Sequence, residues 1–372
     1  MWDTVDEVDP RRHVGYVSLP RPATRADVAA AVTRSRTTLL DRKQPLWTAD
    51  VIDGMADRRF AIDMKIHHSL VDGIGLISLL QDSLSADPNA DDGVAPWNAP
   101  GPKSVAPRAS RNVRRVVAGA REAGPDAATI GRAWRRDAPL VMPYPNAKVG
   151  SGMIGSAHEI ALQSWQLDRF EAIRSSSAGH SVNDVVVAAC GGALRSLLLE
   201  SAALPHAGLK AMIPISTRTV ADADGSGNAV GSITADLGTH LTDPFERLQA
   251  VHESMRSGKE LFRSVGDRSA FAWSLANVSP IYYNRFFGPR APGREHRFAT
   301  VVSTVTAPRN RLYLNGAPLV GITPIGLVTK GLDLNIALSN TADSLNFSVL
   351  TTLPNASRFV EHYERALQDL EK

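Results

Sequence analysis

Two adjacent histidines open the segment His67-His68-Ser69-Leu70-Val71-Asp72-Gly73, which places unlike functional groups within seven residues. A neutral imidazole has an unperturbed pKa of about 6.5 and accepts the proton of a hydroxyl while its oxygen attacks an acyl carbonyl. General-base catalysis of this kind accelerates a reaction roughly 10²–10⁴-fold. The segment therefore indicates an acyl-transfer centre with a histidine as its general base.

The histidines lie where an apolar strand gives way to an apolar helix. Apolar residues alternate with polar or small ones from Phe60 to His67, which is the period of a half-buried strand. The same parity places His68 on the apolar face with Ile66, so His68 is the predicted base. Apolar residues then recur at helical spacing from Ile74 to Leu84.

Asp72 and Gly73 close the motif at the predicted start of this helix. Asp72 is expected to orient the turn or to meet a buried arginine, and Gly73 lets a backbone or a ligand come close. For single residues the structural alternatives stay open, because an inward histidine is more often a hydrogen-bonded core residue and an Asp before a helix is more often a cap. The complete pattern in this context favours catalysis.

Composition excludes several classes of protein. The chain has 372 residues, 43% of them hydrophobic, which is enough for a large core divided into two domains. A net charge of +3 gives no case for a nucleic-acid binder. The single cysteine, Cys190, excludes an internal disulfide and indicates a reducing compartment. Neither a signal peptide at Met1 nor a run of about 20 apolar residues is found, so a cytoplasmic protein is expected.

Hydrophobic periodicity predicts mixed α and β structure with a break in the middle. Strands are predicted at 13–19, 46–52, 59–67, 158–162, 209–215, 229–237 and within 298–349. Helices are predicted at 24–36, 73–85, from Asp168, from Ser181 to Glu200, at 244–261 and at 356–370. This order predicts an N-terminal domain over 1–107, a basic linker over 108–150 and a C-terminal domain over 151–372.

The predicted linker contains eight arginines between Arg108 and Arg136. They are either a basic amphipathic surface for anionic lipid or the solvated face of a helical linker. The second interpretation is favoured, because the apolar positions do not form one clean face.

Five motifs in the same order make the chain resemble the bacterial wax ester synthases/diacylglycerol acyltransferases, especially the actinobacterial triacylglycerol synthase type. The histidine motif is the decisive one, and the resemblance covers nearly the whole chain. Pro45-Leu46-Trp47 is similar to the family's PLW motif, and Asn183-Asp184 is similar to its ND motif. The segment from Met212 through Arg218 resembles a Pro-Val-Ser-x-Arg strand end, and Gly227-Asn228-Ala229-Val230-Gly231 resembles the GN segment.

The resemblance implies a two-domain, chloramphenicol-acetyltransferase-like α/β fold with mixed sheets and an active site in a channel between the domains. It implies that His68 is the base, that His67 supports it, and that Asp72 pairs with an arginine near the position of Arg218. Asn183, Asp184 and Asn228 are implied to support the site. Capping also accounts for Asp184, because Ser181 and Asp184 have capping-box spacing. Pro45, Leu46 and Trp47 are implied to pack or to line the channel.

The implied reaction transfers a long-chain acyl group from acyl-CoA to diacylglycerol or a long-chain alcohol. Acyl-CoA is a cosubstrate, and no metal, bound cofactor or acyl-enzyme is required. Contact with a membrane or with lipid bodies is a further expectation. Two departures from the family bear on this: members usually carry a further segment ahead of the residues that precede His13, and Ser303 to Pro308 replaces a segment that usually reads SNVPGP. Thr304 and Thr306 are therefore expected to alter acceptor binding or rate.

Rival classes lack their motifs. No G-x-S-x-G elbow and no H-E-x-x-H zinc motif occurs. Gly225-Ser226-Gly227-Asn228 is not a dinucleotide loop, because no G-x-G-x-x-G follows a strand and opens a helix there. Peptide-synthetase condensation domains share the histidine motif but lack this combination of the other motifs. The alternative within the family is a truncated, catalytically weak or inactive paralogue that binds acyl-CoA or lipid.

Overall fold

The computed structural model describes residues 8–67, 69–70, 73–90, 158–176, 179–216, 230–264, 298–308, 310–328, 332–353 and 356–372. The candidate residues His68, Asp72, Arg218 and Asn228 lie outside the described residues, as does the basic segment. What was predicted of these positions therefore stays a prediction.

A three-stranded sheet and one helix form the N-terminal part. The strands are β1 (Val14–Ala23), β2 (Trp47–Met55) and β3 (Ala61–Ile66), in the order β1-β2-β3. β1 and β2 are parallel, so their connection must cross over, and helix α1 (Arg25–Thr37) provides that crossover. A capping box of Thr24 and Asp27 begins α1. After β3, helix α2 (Gly73–Asp82) follows the histidine motif as predicted.

The inward face of β3 differs from the sequence prediction. Phe60 and Ile62, predicted on the buried face, are 42% and 43% exposed. The opposite face meets α1, where Lys65 Nζ donates to two carbonyl oxygens at the end of α1, at 2.8 and 2.9 Å. The last turn of a helix leaves its carbonyls without intrahelical partners, and the lysine supplies the donors. The predicted inward orientation of His68 rested on this parity and lies outside the described residues.

The C-terminal part is built on a six-stranded mixed sheet. Its order is β4-β11-β10-β7-β5-β6, with β5, β7 and β10 parallel to one another and the other pairs antiparallel. The strands are β4 (Glu159–Gln166), β5 (Lys210–Ser216), β6 (Val230–Asp236), β7 (Thr300–Thr306), β10 (Leu334–Asn340) and β11 (Ser344–Thr351), with a separate hairpin of β8 (Tyr313–Leu314) and β9 (Ala317–Pro318). The helices are α3 (Leu167–Ser176), α4 (Val182–Glu200), α5 (Pro244–Ser264) and α6 (Ala356–Leu370).

Helix α4 is the centre of the core. It contacts α3, α5 and α6, and its residues from Val185 to Leu194 are almost completely buried. Among the described residues, α4 is the one helix whose length and hydropathy would suffice to cross a membrane. Its enclosure accounts for that composition, because a helix that is apolar all round is also what a buried core position requires. The thiol of Cys190 lies in this core, where burial raises its pKa well above the usual range.

A shared cluster joins the two sheets. Val28 and Val32 of α1 and Ile52 of β2 pack with Ile160 and Leu350 of the large sheet. Residues 319–328, which form no helix or strand, extend this cluster through Ile325 and Val328. Polar side chains of the large sheet hold the segment by its carbonyl oxygens: Asn335 binds Leu327 O at 3.0 Å, Ser348 binds Pro324 O at 2.5 Å, and Ser339 binds Ile322 O.

Candidate active site

The PLW residues and the histidine motif lie side by side at one end of adjacent strands. Trp47 is the antiparallel partner of Ile66, and the backbone N–H of His67 donates to Leu46 O at 2.9 Å. The ladder between β2 and β3 thus extends by one bond to the first histidine. Leu46 therefore sets the position at which β3 ends and the histidine turn begins.

The ring of His67 is engaged by its own turn. The backbone N–H of Ser69 donates to His67 Nδ1 at 3.2 Å, and Ser69 Oγ lies 2.5 Å from the same nitrogen. Ser69 therefore engages the Nδ1 side of the ring, and this arrangement ties His67 to its own turn.

His13 forms a second support behind the PLW residues. Its ring stacks on Trp47 with ring centroids 4.6 Å apart, and His13 Nδ1 donates to Trp47 O at 2.8 Å. His13 O in turn accepts from Ala49 N at 2.8 Å. His13 is buried, so the start of β1 holds the indole in one orientation. In the sequence, His13 is only the first residue of a predicted strand.

The second half of the site comes from β7 and the start of α4. Thr304 Oγ1 donates to Asn183 Oδ1 at 2.8 Å, which joins the strand that replaces the SNVPGP segment to the ND motif. Helix α2, which follows the histidine motif, contacts β7. Ser85, just after α2, pairs with Tyr313 through both backbone groups. Helix α2 and Asn183 are thus brought to the same strand from different parts of the chain.

Asp184 is a buried cap. Its backbone N–H donates to Ser181 Oγ at 3.2 Å, and its Oδ2 accepts from Ser181 N at 2.7 Å, so the predicted capping box is present. His252 Nδ1 lies 3.0 Å from the same oxygen. Burial opposes the charge, but the hydrogen bonds from His252 and Ser181 outweigh it and lower the pKa of Asp184. This carboxylate is fully engaged in holding α4 and α5 together.

The structure therefore sorts the predicted residues into groups. The PLW residues meet His67, and Asn183 meets Thr304, while Asp184 is placed in a structural role. His252 was missed by the sequence analysis, because its partner is 68 residues away and no local spacing reveals it. Within the described part of the chain, no three His, Cys, Asp or Glu side chains lie together in a way that would hold a metal ion.

Comparison with known proteins agrees with this arrangement. The family model described as the wax ester synthase/diacylglycerol acyltransferase catalytic domain matches residues 1–186, and the one described as the WS/DGAT C-terminal domain matches residues 226–371. A protein of Mycobacterium tuberculosis named as a diacylglycerol O-acyltransferase is 37% identical over 380 residues, which cover 100% of this chain and 84% of that protein.

Solved structures give the same result. The wax ester synthase/diacylglycerol acyltransferase of Marinobacter aquaeolei VT8 superposes with a TM-score of 0.74 at 28% identity, covering 100% of this chain and 82% of that chain. The starter condensation domain of rhizomide synthetase superposes with a TM-score of 0.57 at 12% identity, covering 96% of this chain and 76% of that chain. The second likeness is one of fold alone, and together they confirm the predicted two-part, mixed-sheet acyltransferase architecture.

Proposed function

Because this chain belongs to the wax ester synthase/diacylglycerol acyltransferase family, we propose that it transfers a long-chain acyl group from acyl-CoA to the free hydroxyl of diacylglycerol. Acyl-CoA is the cosubstrate, and no step needs a resident cofactor. The observation that carries the proposal is the contact of α2, the helix that follows the histidine motif, with β7, the strand whose Thr304 holds Asn183. This contact supports a site built from the histidine motif and Asn183.

The reaction proceeds by direct transfer. His68 takes the proton of the acceptor hydroxyl as its oxygen attacks the thioester carbonyl, and a tetrahedral oxyanion forms. Collapse of the oxyanion breaks the carbon–sulfur bond, and the CoA thiolate leaves and takes up the proton held by His68. The engagement of His67 Nδ1 by Ser69 supports the assignment of the base to His68.

Asn183 supplies a polar contact to the reacting carbonyl. Its Oδ1 accepts from Thr304, so both hydrogens of its Nδ2 remain the donors of this side chain. An amide donor aimed at the place where an oxyanion develops stabilises the transition state more than the ground state. Asp72 and Arg218 complete the proposal as an ion pair that holds the histidine turn.

A coupled assay tests this function. Purified protein is given palmitoyl-CoA with either dioleoylglycerol or hexadecanol, and released CoA is measured with a thiol reagent while the ester product is identified by mass spectrometry. We expect His68→Ala to reduce turnover roughly 10²–10⁴-fold. His67→Ala is the matched control and should lose less turnover than His68→Ala, since it weakens only the turn. Equal, slow CoA release by wild type and His68→Ala would instead support the inactive paralogue.

The acceptor also determines where the enzyme works. Diacylglycerol resides in membranes, so we propose a cytoplasmic protein that meets lipid surfaces through the basic residues between Arg108 and Arg136. Sedimentation with vesicles tests this. Binding that requires anionic lipid and disappears at high salt supports the proposal, and binding that is independent of lipid charge contradicts it.

A further inference from the structure

A cavity of about 200 Å³ lies between the start of α4 and one face of α5. Asp184 lines it from α4, and His252, Arg256, Lys259 and Arg263 line it from α5. The four α5 residues follow at intervals of four, three and four, so they form one stripe along the helix. None of these positions was singled out as cationic by the sequence analysis.

The stripe carries positive charge without acidic partners. Among the described residues, neither Arg256, Lys259 nor Arg263 forms an ion pair with a carboxylate. Asp184 is engaged by its capping box and by His252, and the exposed Glu260 lies at the rim. The three cations outnumber these two carboxylates by one, before any charge on His252 is counted. Such a cavity attracts an anion.

The stripe also lies at the edge of the sheet that carries the candidate active site. Ser254 Oγ accepts from Asp236 N at 2.9 Å, and Gly258 lies against Ile233, so α5 runs back along β6 toward Val230. Because β6 is antiparallel to β5, this direction leads to the carboxyl ends of β5 and β7. The cavity is therefore lined by the start of α4, the same helix turn that carries Asn183.

We infer that this cavity binds the phosphate groups of the acyl-CoA donor, an inference that rests on the proposed function. Arginine and lysine form the strong, charge-assisted hydrogen bonds that phosphate requires. The volume is smaller than the roughly 300–1,000 Å³ of pockets that enclose a whole ligand, so it fits a subsite for one end of the donor. A phospholipid headgroup offers the same chemistry, but a cavity at the start of the helix that carries Asn183 favours a donor whose thioester reaches Asn183 through its pantetheine arm.

Direct binding tests the subsite without any turnover. Calorimetry measures the Kd of CoA for the wild type and for the double variant Arg256→Gln/Lys259→Gln. We expect about a tenfold weaker Kd in the double variant and competition by inorganic pyrophosphate. Arg365→Gln, an exposed arginine on α6, is the matched control and should leave the Kd unchanged. An unchanged Kd in the double variant overturns the inference even if acyl transfer is intact.

A comparison of donors separates the phosphates from the rest of CoA. The double variant should raise the KM for palmitoyl-CoA about tenfold and leave the KM for palmitoyl-pantetheine, which has no phosphate, unchanged. Equal effects on both donors overturn the inference. If phosphatidic acid vesicles compete with pyrophosphate and CoA does not, the site belongs to a lipid headgroup and the inference is wrong. Thermal unfolding checks the fold, and Arg263→Glu at the exposed end provides a second variant that should also weaken CoA binding.

Discussion

The hydroxyl of Thr304 donates to the side-chain oxygen of Asn183 across 2.8 Å, and this bond ties β7 to the first turn of the core helix α4. The two residues are 121 positions apart. The bond fixes which end of the Asn183 amide faces the strand, so its nitrogen is left to donate elsewhere. A residue that marked a departure from the family pattern is thus a positioning residue for the ND motif.

Thr304→Val should lower kcat about three- to tenfold, because the side chain keeps its shape and loses one hydrogen bond worth about 1 kcal/mol. The KM for acyl-CoA should remain unchanged, since Asn183 acts on the reacting carbonyl. Thr306→Val is the comparison, because Thr306 is likewise exposed and belongs to the same replaced segment, for which an effect on acceptor binding or rate is expected, whereas the bond to Asn183 comes from Thr304. Thr304→Ser keeps the hydroxyl group and should therefore retain the activity of the wild type. Equal kcat values in the two valine variants would exclude a positioning role for Thr304.

Asp184→Ala should reduce the free energy of unfolding by about 2–3 kcal/mol, because it removes a cap and leaves His252 without its acceptor. Ser181→Ala removes one capping bond and should cost about 1 kcal/mol. Urea unfolding measures both values. A variant of Asp184 that unfolds like the wild type but loses kcat would show that the residue is catalytic and that our structural assignment is wrong.

The lowered pKa of Asp184 makes this contribution depend on pH. A carboxyl with a lower pKa in the folded state stabilises fully above its unfolded pKa of about 3.9, and the contribution is lost as pH falls through the folded value. The urea midpoint of the wild type should therefore fall more steeply below roughly pH 4 than that of Asp184→Asn. Parallel pH profiles for the two proteins would contradict the linkage.

Gly191→Ala should be among the most destabilising single changes in the chain. A Cβ at this position would lie 2.0 Å from the backbone oxygen of Leu237, which cannot rotate away. The helix and the chain after β6 must separate, at a cost of about 3 kcal/mol. Ser196→Ala, a half-buried position on the same helix, is the control and should have little effect. Calorimetric unfolding of both variants decides the comparison.

His13→Ala should destabilise the N-terminal part by about 1–3 kcal/mol, since the ring is buried, stacked on Trp47 and bonded to its carbonyl. Because Leu46 holds His67, a looser Trp47 should also lower the rate of acyl transfer. His206→Ala removes an exposed histidine and provides the comparison. Unchanged activity in a destabilised His13→Ala protein would mean that the PLW residues only pack.

Local signals in the sequence were sufficient for most elements. The capping box at Ser181 and Asp184 predicted where α4 begins, and the final helix at 356–370 has the predicted bounds. Both depend on bonds and periodicities within a few residues. The strand β3 was predicted correctly, but its buried face was not, because apolar alternation does not say which face a neighbouring helix covers. The face of β3 that carries Lys65 packs against α1, because Lys65 donates to carbonyl oxygens at the end of that helix.

The sequence by itself determined the family, the order of the elements and the identity of the histidine motif, because these depend on residue types and short spacings. Only the tertiary structure decided the partners. It joined His67 to Leu46, Thr304 to Asn183, and His252 to Asp184. These pairs lie on separate elements, and the parallel strands of the mixed sheet and the packing of α4 against α5 bring them together. A pattern in the sequence does not give the distance between such elements, so the contact partners of these residues are known only from the folded chain.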